Sequence, residues 1–470
     1  MKEGKSRVAD ARELSLIKKK VHKLINRDAL LEIACDLVNI PSPTGFEKAC
    51  ADYIIERYRA AGIKVLQQAM EETRANAIGI IKGKGSGPSL MLNGHMDTSY
   101  VGDEAYLPDT PGYKPKAVVD GEWIYGLGIY NMKGSLAAFL HAAEALQRAG
   151  VQLEGDLVIA CVAGEIEKAP VDRFQGPLYR GGGCGTWYAI THGALADFAV
   201  VGEPSGMTLM RAHGGYVWTR ITLVGDPMHT IYGTARNNTI NNMMKLMRAL
   251  QQWGEDYERR RAYLGMPAHV TLSAIEGGWP YRCSRVPVAC TLYVDTRLLP
   301  GQEPLEVQRE IEAVVARVRR GDPDLKKLHL DMNVFMNQWG SECPPEEFIY
   351  QAVAEAHHET TRKAVEVTAI PFASDAGELN AHGIPALNYG ATGRLRTFQP
   401  EERPGDLAKD WNPQQGEHAS IEDMLQATRV YVNLILNVCT RTRAELGPDR
   451  SHRHAEAGAS IPTTNRRKRR

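Results

Sequence analysis

No two of the eight cysteines stand as Cys-x-x-Cys, so the spacing that a zinc knuckle or a dithiol redox site requires is missing. Most of them are flanked by apolar residues, the setting of buried thiols in a reducing compartment. No uninterrupted apolar run approaches the roughly 20 residues that a spanning helix needs. Neither sign of charge predominates, since 56 Lys+Arg balance 56 Asp+Glu. That argues against a nucleic-acid-coating protein or a polybasic membrane binder. The first twenty residues are charged and have no apolar centre, unlike a secretory signal. The expectation is a cytoplasmic enzyme with neither nucleic-acid nor membrane partners. At 470 residues, the chain is long enough for two or three domains with their own cores.

What is present is an alternation of helices and short strands. Apolar residues recur at helical spacing from residue 27, and the Pro41-Ser42-Pro43 turn ends that helix before a second one begins near Gly45. Residues 76–82, 89–94, 157–162 and 198–201 read as strands, and 133–149 as an amphipathic helix. This order predicts an α/β fold whose mostly parallel sheet is sandwiched by helices. After Gly206 the pattern changes to strand (216–224), helix (239–253), two strands (269–275, 289–296), helix (304–319) and strand (328–336). That is a ferredoxin-like βαββαβ unit. The expected domains are therefore 1–207 and 339–442 for one catalytic unit and 208–338 for an inserted lid or dimerisation domain. A disordered basic tail is expected over 443–470.

Chemistry-bearing residues collect after the strands. His95 and Asp97 follow an apolar strand and, by strand alternation, point to one side at its carboxyl end. Active sites gather at that end of a parallel sheet. A His with a carboxylate two residues on suits a metal ligand with an acid behind it, although an ordinary surface strand end reads the same way. Residues 125–134 form a Gly-rich loop whose spacing fits neither the P-loop nor the dinucleotide fingerprint. Glu165 and Glu203 each follow an apolar strand, and Glu417-His418 precedes the last helix. A single such acid is usually a solvated loop residue. Several loops presenting His, Asp or Glu together are what a His/carboxylate divalent-metal site requires.

The ordered set GHMDT (94–98), GLGIYNMKG (126–134), GEIE (164–167), GEP (202–204), GDPMHT (225–230), GG…VP (277–287), DTR (295–297) and EHAS (417–420) resembles one zinc-dependent amidohydrolase and exopeptidase family. It is the family of acetylornithine deacetylase, succinyl-diaminopimelate desuccinylase, aminoacylase and glutamate carboxypeptidase, and the similarity runs from about residue 27 to 440. The resemblance implies that His95 and Glu203 ligate one metal, that His418 and position 166 ligate a second, and that position 131 bridges the two. It makes Glu165 the general base, Asp97 the acid behind the His ligand, and His229 a donor to the developing oxyanion from across a lid-mediated dimer. It also implies a non-proline cis peptide at Asn131–Met132.

Two positions depart from that pattern. An amide, Asn131, stands where a bridging Asp is usual, and Ile166 cannot ligate at all. Glu167 replaces it only if the turn shifts by one residue. One firmly bound divalent ion (Zn, Mn or Co) is therefore expected, with Asn131 as a weak oxygen ligand. Arg282, Ser284 and Arg285, before the Val-Pro, are the candidate grip for a substrate carboxylate, although both arginines read equally as lid-surface charges. The leading expectation is hydrolysis of a C–N bond in a small carboxylate-bearing molecule, by a homodimer or higher homo-oligomer. An aminohydrolase releasing ammonia from an aromatic amine such as 5-nitroanthranilate, and a catalytically inactive binding or assembly member, are the alternatives.

Overall fold

The computed structural model describes residues 11–393 and 415–446. Most of the expected basic tail, from 447 onward, lies outside the described residues, while Arg443–Leu446 form a short helical turn. The large sheet runs in the order Lys64–Glu71, Arg74–Ile81, Leu157–Val162, Leu90–His95, Phe198–Val201, Ala386–Asn388, Leu209–His213 and Ser341–Glu342, with Val367–Ile370 also pairing to Leu209–His213. Its four middle strands are parallel and its outer pairs mostly antiparallel.

Side-chain alternation sends the middle strands to two cores. Leu90, Leu92, Leu157, Ile159, Phe198 and Val200 meet the helices Arg27–Asn39, Lys48–Ala60, Gly134–Arg148 and Ile421–Cys439. Met91, Val158, Ala160, Ala199 and Val201 meet Cys184–Thr191 and Ala376–Ala381 on the other face. Strands buried on both faces are the reason the sequence shows continuous apolar runs there.

A second, four-stranded antiparallel sheet runs His269–Gly277, Ala289–Leu298, Gly215–Val224, His329–Gln338. The amphipathic helices Thr239–Arg260 and Pro304–Gly321 pack on one of its faces through Leu246, Leu250, Ile311 and Val315. Leu209–His213 still belongs to the large sheet, so the small sheet starts at Gly215 rather than at residue 208. The chain changes sheets at Gly214-Gly215, where a Cβ would lie 2.6 Å from the Pro371 carbonyl oxygen or 2.1 Å from that of Gln338. Only glycine lets the two backbones cross so closely. No helix among the described residues is long and apolar enough to cross a membrane.

His141, buried on Gly134–Arg148, accepts the Asn26 N–H at its Nε2 (3.1 Å), and burial pushes its pKa down to about 4. The unfolded chain titrates this residue at the ordinary value of about 6.5, so between pH 6.5 and 4 unfolding takes up a proton that the fold refuses. Stability is therefore full above about 6.5 and falls by up to ~3 kcal/mol as pH drops to 4 from this residue alone. His213, likewise pushed down to about 4 by burial, adds a loss of the same sign. Urea unfolding at several pH values is expected to show a shallower acid slope for His141→Gln.

Candidate metal centre

Three neighbouring parallel strands deliver the site. Leu90–His95 ends on His95, Leu157–Val162 is followed by Glu165, and Phe198–Val201 by Glu203. Because these strands are adjacent and parallel, their carboxyl ends lie side by side, and one ligand atom from each residue falls within 4.8 Å of the others. All three side chains are buried. His95 Nε2 lies 3.6 Å from Glu165 Oε2 and 3.0 Å from Asn131 Oδ1, so the amide oxygen borders the cluster. The Asn131–Met132 peptide is cis.

Asp97 organises the cluster from behind. Its Oδ1 lies 3.4 Å from His95 Nδ1 and accepts the Glu165 N–H at 3.0 Å, while Oδ2 accepts from Ile166 N (3.1 Å) and Thr44 Oγ1 (2.9 Å). Burial works against this carboxylate, but His95 and these donors outweigh it and hold its pKa below the ordinary value. Burial also opposes charge on His95, yet Glu165, Asp97 and Glu203 raise its pKa well above the usual range. Glu165 is raised well above the usual carboxylate value by burial and by Glu203, with His95 opposing. Burial pushes Glu203 up to about 7, and Asp375 likewise.

These properties fit a divalent cation. Glu203 Oε1 is buried with no hydrogen-bond partner, beside a second buried carboxylate and a histidine. Carboxylates that repel one another and leave a lone pair unsatisfied are costly unless a positive ion joins them. An imidazole with carboxylates suits zinc, manganese or cobalt.

The profile of Peptidase family M20/M25/M40 matches residues 91–437, well over half of the chain. The chain belongs to this family. N-formyl-4-amino-5-aminomethyl-2-methylpyrimidine deformylase of Halalkalibacterium halodurans is 26% identical over 452 residues, covering 89% of this chain and 96% of the relative. Acetylornithine deacetylase of Myxococcus xanthus is 24% identical over 397 residues, covering 83% and 91%. Among solved structures, a Staphylococcus aureus tripeptidase superposes with a TM-score of 0.65 at 16% identity, covering 89% of this chain and all of the other. This M20 protein is a metal-dependent hydrolase acting on carbon–nitrogen bonds.

Within that family frame, the structure brings some of the expected site residues together and places others apart. His418, expected at a second metal position, is not part of the His95–Glu165–Glu203 group. It lies on His418–Ser420, paired with Trp123–Tyr125, where its ring stacks on Tyr125 (5.6 Å) and meets Trp123 edge-on (5.4 Å). Its Nδ1 faces the Gly416 carbonyl at 3.0 Å. These strands of three residues are too short for alternation to show in sequence. Glu167 does not replace Ile166, because it grips Arg297 through two bonds of 2.8 and 2.7 Å.

The expected substrate grip also lies elsewhere. Arg282, Ser284 and Arg285 occupy the connection between His269–Gly277 and Ala289–Leu298, where Thr230 N donates to Ser284 O (3.0 Å) and His229 forms a β-bridge with Arg285. His229 is exposed, and its Nδ1 accepts the Ile231 N–H at 3.3 Å. The opposite end of the same hairpin, where His269 pairs with Arg297, is the one that lines the cleft over the metal cluster. Eight strand residues at ~3.3 Å each separate the two ends by roughly 26 Å. Within one chain, none of the four residues lines the cleft.

That cleft, of about 630 Å³, is lined by Tyr130, Asn131, Glu165, Lys168, Glu203 and Arg297, among others. Sequence reasoning missed Lys168, Arg297 as a wall residue, and Asp375. The signal for the first was the Gly181-Gly182-Gly183 run, since these glycines fold back on the Glu165 loop. Gly182 N donates to Ile166 O and Gly181 N to Lys168 O, both at 3.0 Å, and a Cβ at Gly181 would sit 1.9 Å from Ile166 O. Asp375 Oδ2 accepts from Thr186 Oγ1 at 2.8 Å, and its Oδ1 is buried without a partner. No motif marked it, because it comes from a different strand end.

Glu417, the neighbour of His418, accepts the N–H groups of Tyr130 and Asn131 at 3.2 Å each. It therefore holds the Asn131 loop from behind instead of facing the cluster. A buried ion pair braces the other side. Arg74, 1% exposed, binds Glu47 Oε1 and Oε2 at 3.1 Å each and the Arg180 carbonyl at 2.7 Å. Arg74→Met leaves the fully buried Glu47 unpaired, and urea denaturation is expected to show a loss of ~3–5 kcal/mol. Arg74→Met combined with Glu47→Leu is expected to recover most of it.

Proposed function

We propose that this chain removes an acyl group from the nitrogen of a small, carboxylate-bearing molecule, using one firmly bound divalent ion held by His95 and Glu203 with Asn131 as a weak oxygen ligand. The observation that carries the reading is Glu165. Its carboxylate stands 3.6 Å from His95 at the floor of the cleft, and burial together with Glu203 raises its hold on a proton. A bound divalent ion would acidify a water and polarise the acyl carbonyl. Glu165 accepts the proton from the attacking water and passes it to the departing nitrogen as the C–N bond breaks. Asp97, fixed by two backbone N–H groups and Thr44, keeps the His95 ring oriented.

His229 acts as a donor to the developing oxyanion only if a second copy of the chain supplies it, because in one chain it does not line the cleft. This reading therefore goes with a homodimer, or a higher homo-oligomer, built through the small sheet. The departures at Asn131 and Ile166 support a single firmly held ion.

The relatives' names support deacylation. One acts on an N-formyl aminomethylpyrimidine and another on acetylornithine, both through loss of an acyl group from nitrogen. The decisive assay is a panel of N-formyl and N-acetyl amino acids, N-formyl heteroaryl methylamines and aminobenzoates with manganese, zinc or cobalt. Turnover is expected in the N-acyl group. Ammonia release from aminobenzoates alone would favour an aromatic aminohydrolase. Failure on every substrate, with metal demonstrably bound, would favour an inactive binding member.

A further inference from the structure

Three basic side chains line the cleft over the metal cluster: Lys168, His269 and Arg297. Two of them are already engaged. Arg297 gives Nη1 and Nη2 to Glu167 (2.8 and 2.7 Å) and Nε to Asp295 (2.9 Å), with its guanidinium 5.5 Å above the Tyr216 ring. One guanidinium between two carboxylates carries a net negative charge, so it repels a third carboxylate. Displacing Glu167 would strand that carboxylate in a half-buried wall, a costly exchange for a bidentate pair. His269 is held between Glu258 at 2.8 Å and Thr271 Oγ1 at 3.0 Å.

Lys168 differs. Among the described residues its ammonium makes no ion pair or hydrogen bond, although the residue is half-buried and lines the cleft. Its backbone carbonyl accepts the Gly181 N–H, three residues after Glu165 on the same loop. Three residues span at most about 10 Å between Cα atoms, so Lys168 and the base are carried by the same short stretch of chain. We infer that the Lys168 ammonium receives the anionic end of the substrate, while Arg297 is a structural tie between the Glu165 loop and the small sheet. The inference rests on the hydrolase reading above and names the residue that would make it selective. A partly desolvated ammonium with no ion pair among the described residues gains from an incoming carboxylate, which strengthens the contact beyond that of an exposed lysine. Burial holds the pKa of Lys168 below the ordinary lysine value, with Asp97, Glu104 and Glu47 opposing it in part.

The test compares each N-acyl amino acid with its own carboxamide. The wild type is expected to favour the acid. In Lys168→Met the acid-over-amide preference in kcat/KM is expected to fall at least tenfold, mainly through KM of the acid, and Lys168→Arg is expected to restore part of it. A wild type that turns over the amide as well as the acid, or a preference untouched by Lys168→Met, would overturn the inference and leave the hydrolase reading intact. Calorimetry on the metal-loaded Glu165→Gln protein separates the opposite case. N-acyl amino acid binding that weakens at least tenfold when Lys168→Met is added supports the anion site even where the wild type hydrolyses nothing. No binding, or equal binding in both proteins, overturns it.

Discussion

Glu165→Gln is expected to lower kcat by ~10²–10⁴-fold, the usual contribution of a positioned general base. The glutamine keeps the size of the side chain and removes only its capacity to carry a proton. The Asp97 contacts that fix this loop run through the backbone N–H groups of residues 165 and 166, so they survive the substitution. Thermal stability is expected to hold or rise slightly, since a buried carboxylate repelled by Glu203 is gone. KM should change little. The measurement is steady-state kinetics beside metal content and a melting curve. Activity within tenfold of wild type, with metal bound, would assign the proton transfer to another group, such as Asp375, whose charge acts on Glu165 and whose pKa burial pushes up to about 7.

Glu203→Ala is expected to abolish firm metal binding, with affinity lower by at least ~100-fold, more than the tenfold to hundredfold cost of losing an outer-shell partner. In the wild type, metal at 100 times its dissociation constant is expected to stabilise the fold by about 2.7 kcal/mol. The variant should lose that increment while its metal-free form melts no lower than the wild type, because the unsatisfied Glu203 oxygen has been removed. The pH dependence has a definite sign. Glu203 sits near 7 in the metal-free protein through burial, so ion binding displaces a proton and affinity falls as pH drops below about 7. Metal titration by calorimetry at pH 6, 7 and 8, with elemental analysis of the loaded protein, reads all of these. Two tightly held ions per chain would contradict the single-ion proposal.

The Glu167–Arg297 pair gives the family fold a local character. Glu167 belongs to the Glu165 loop and Arg297 to the small sheet, and Asp172 adds a second tie through Arg220 (2.9 Å) and Tyr293 (2.6 Å). Residues that could face substrate are thus used to hold two sheets together. Among the described residues of the cleft, Lys168 is the basic side chain left without such a tie.

The sequence by itself determined the α/β class, the βαββαβ order of the small sheet, and the positions of His95, Asp97, Glu165 and Glu203 after apolar strands. Those readings rest on local physics: side-chain alternation places residues at strand ends, and parallel strands align those ends. Only the tertiary structure decided which candidates meet. His418 was drawn to the aromatic pair Trp123 and Tyr125, Glu167 to Arg297, and Arg282 and Arg285 to the far end of a hairpin whose near end lines the cleft. Sequence spacing records that two residues share a strand or loop. It does not record which end of that element faces the other sheet, because that direction is set by contacts between segments a hundred or more residues apart.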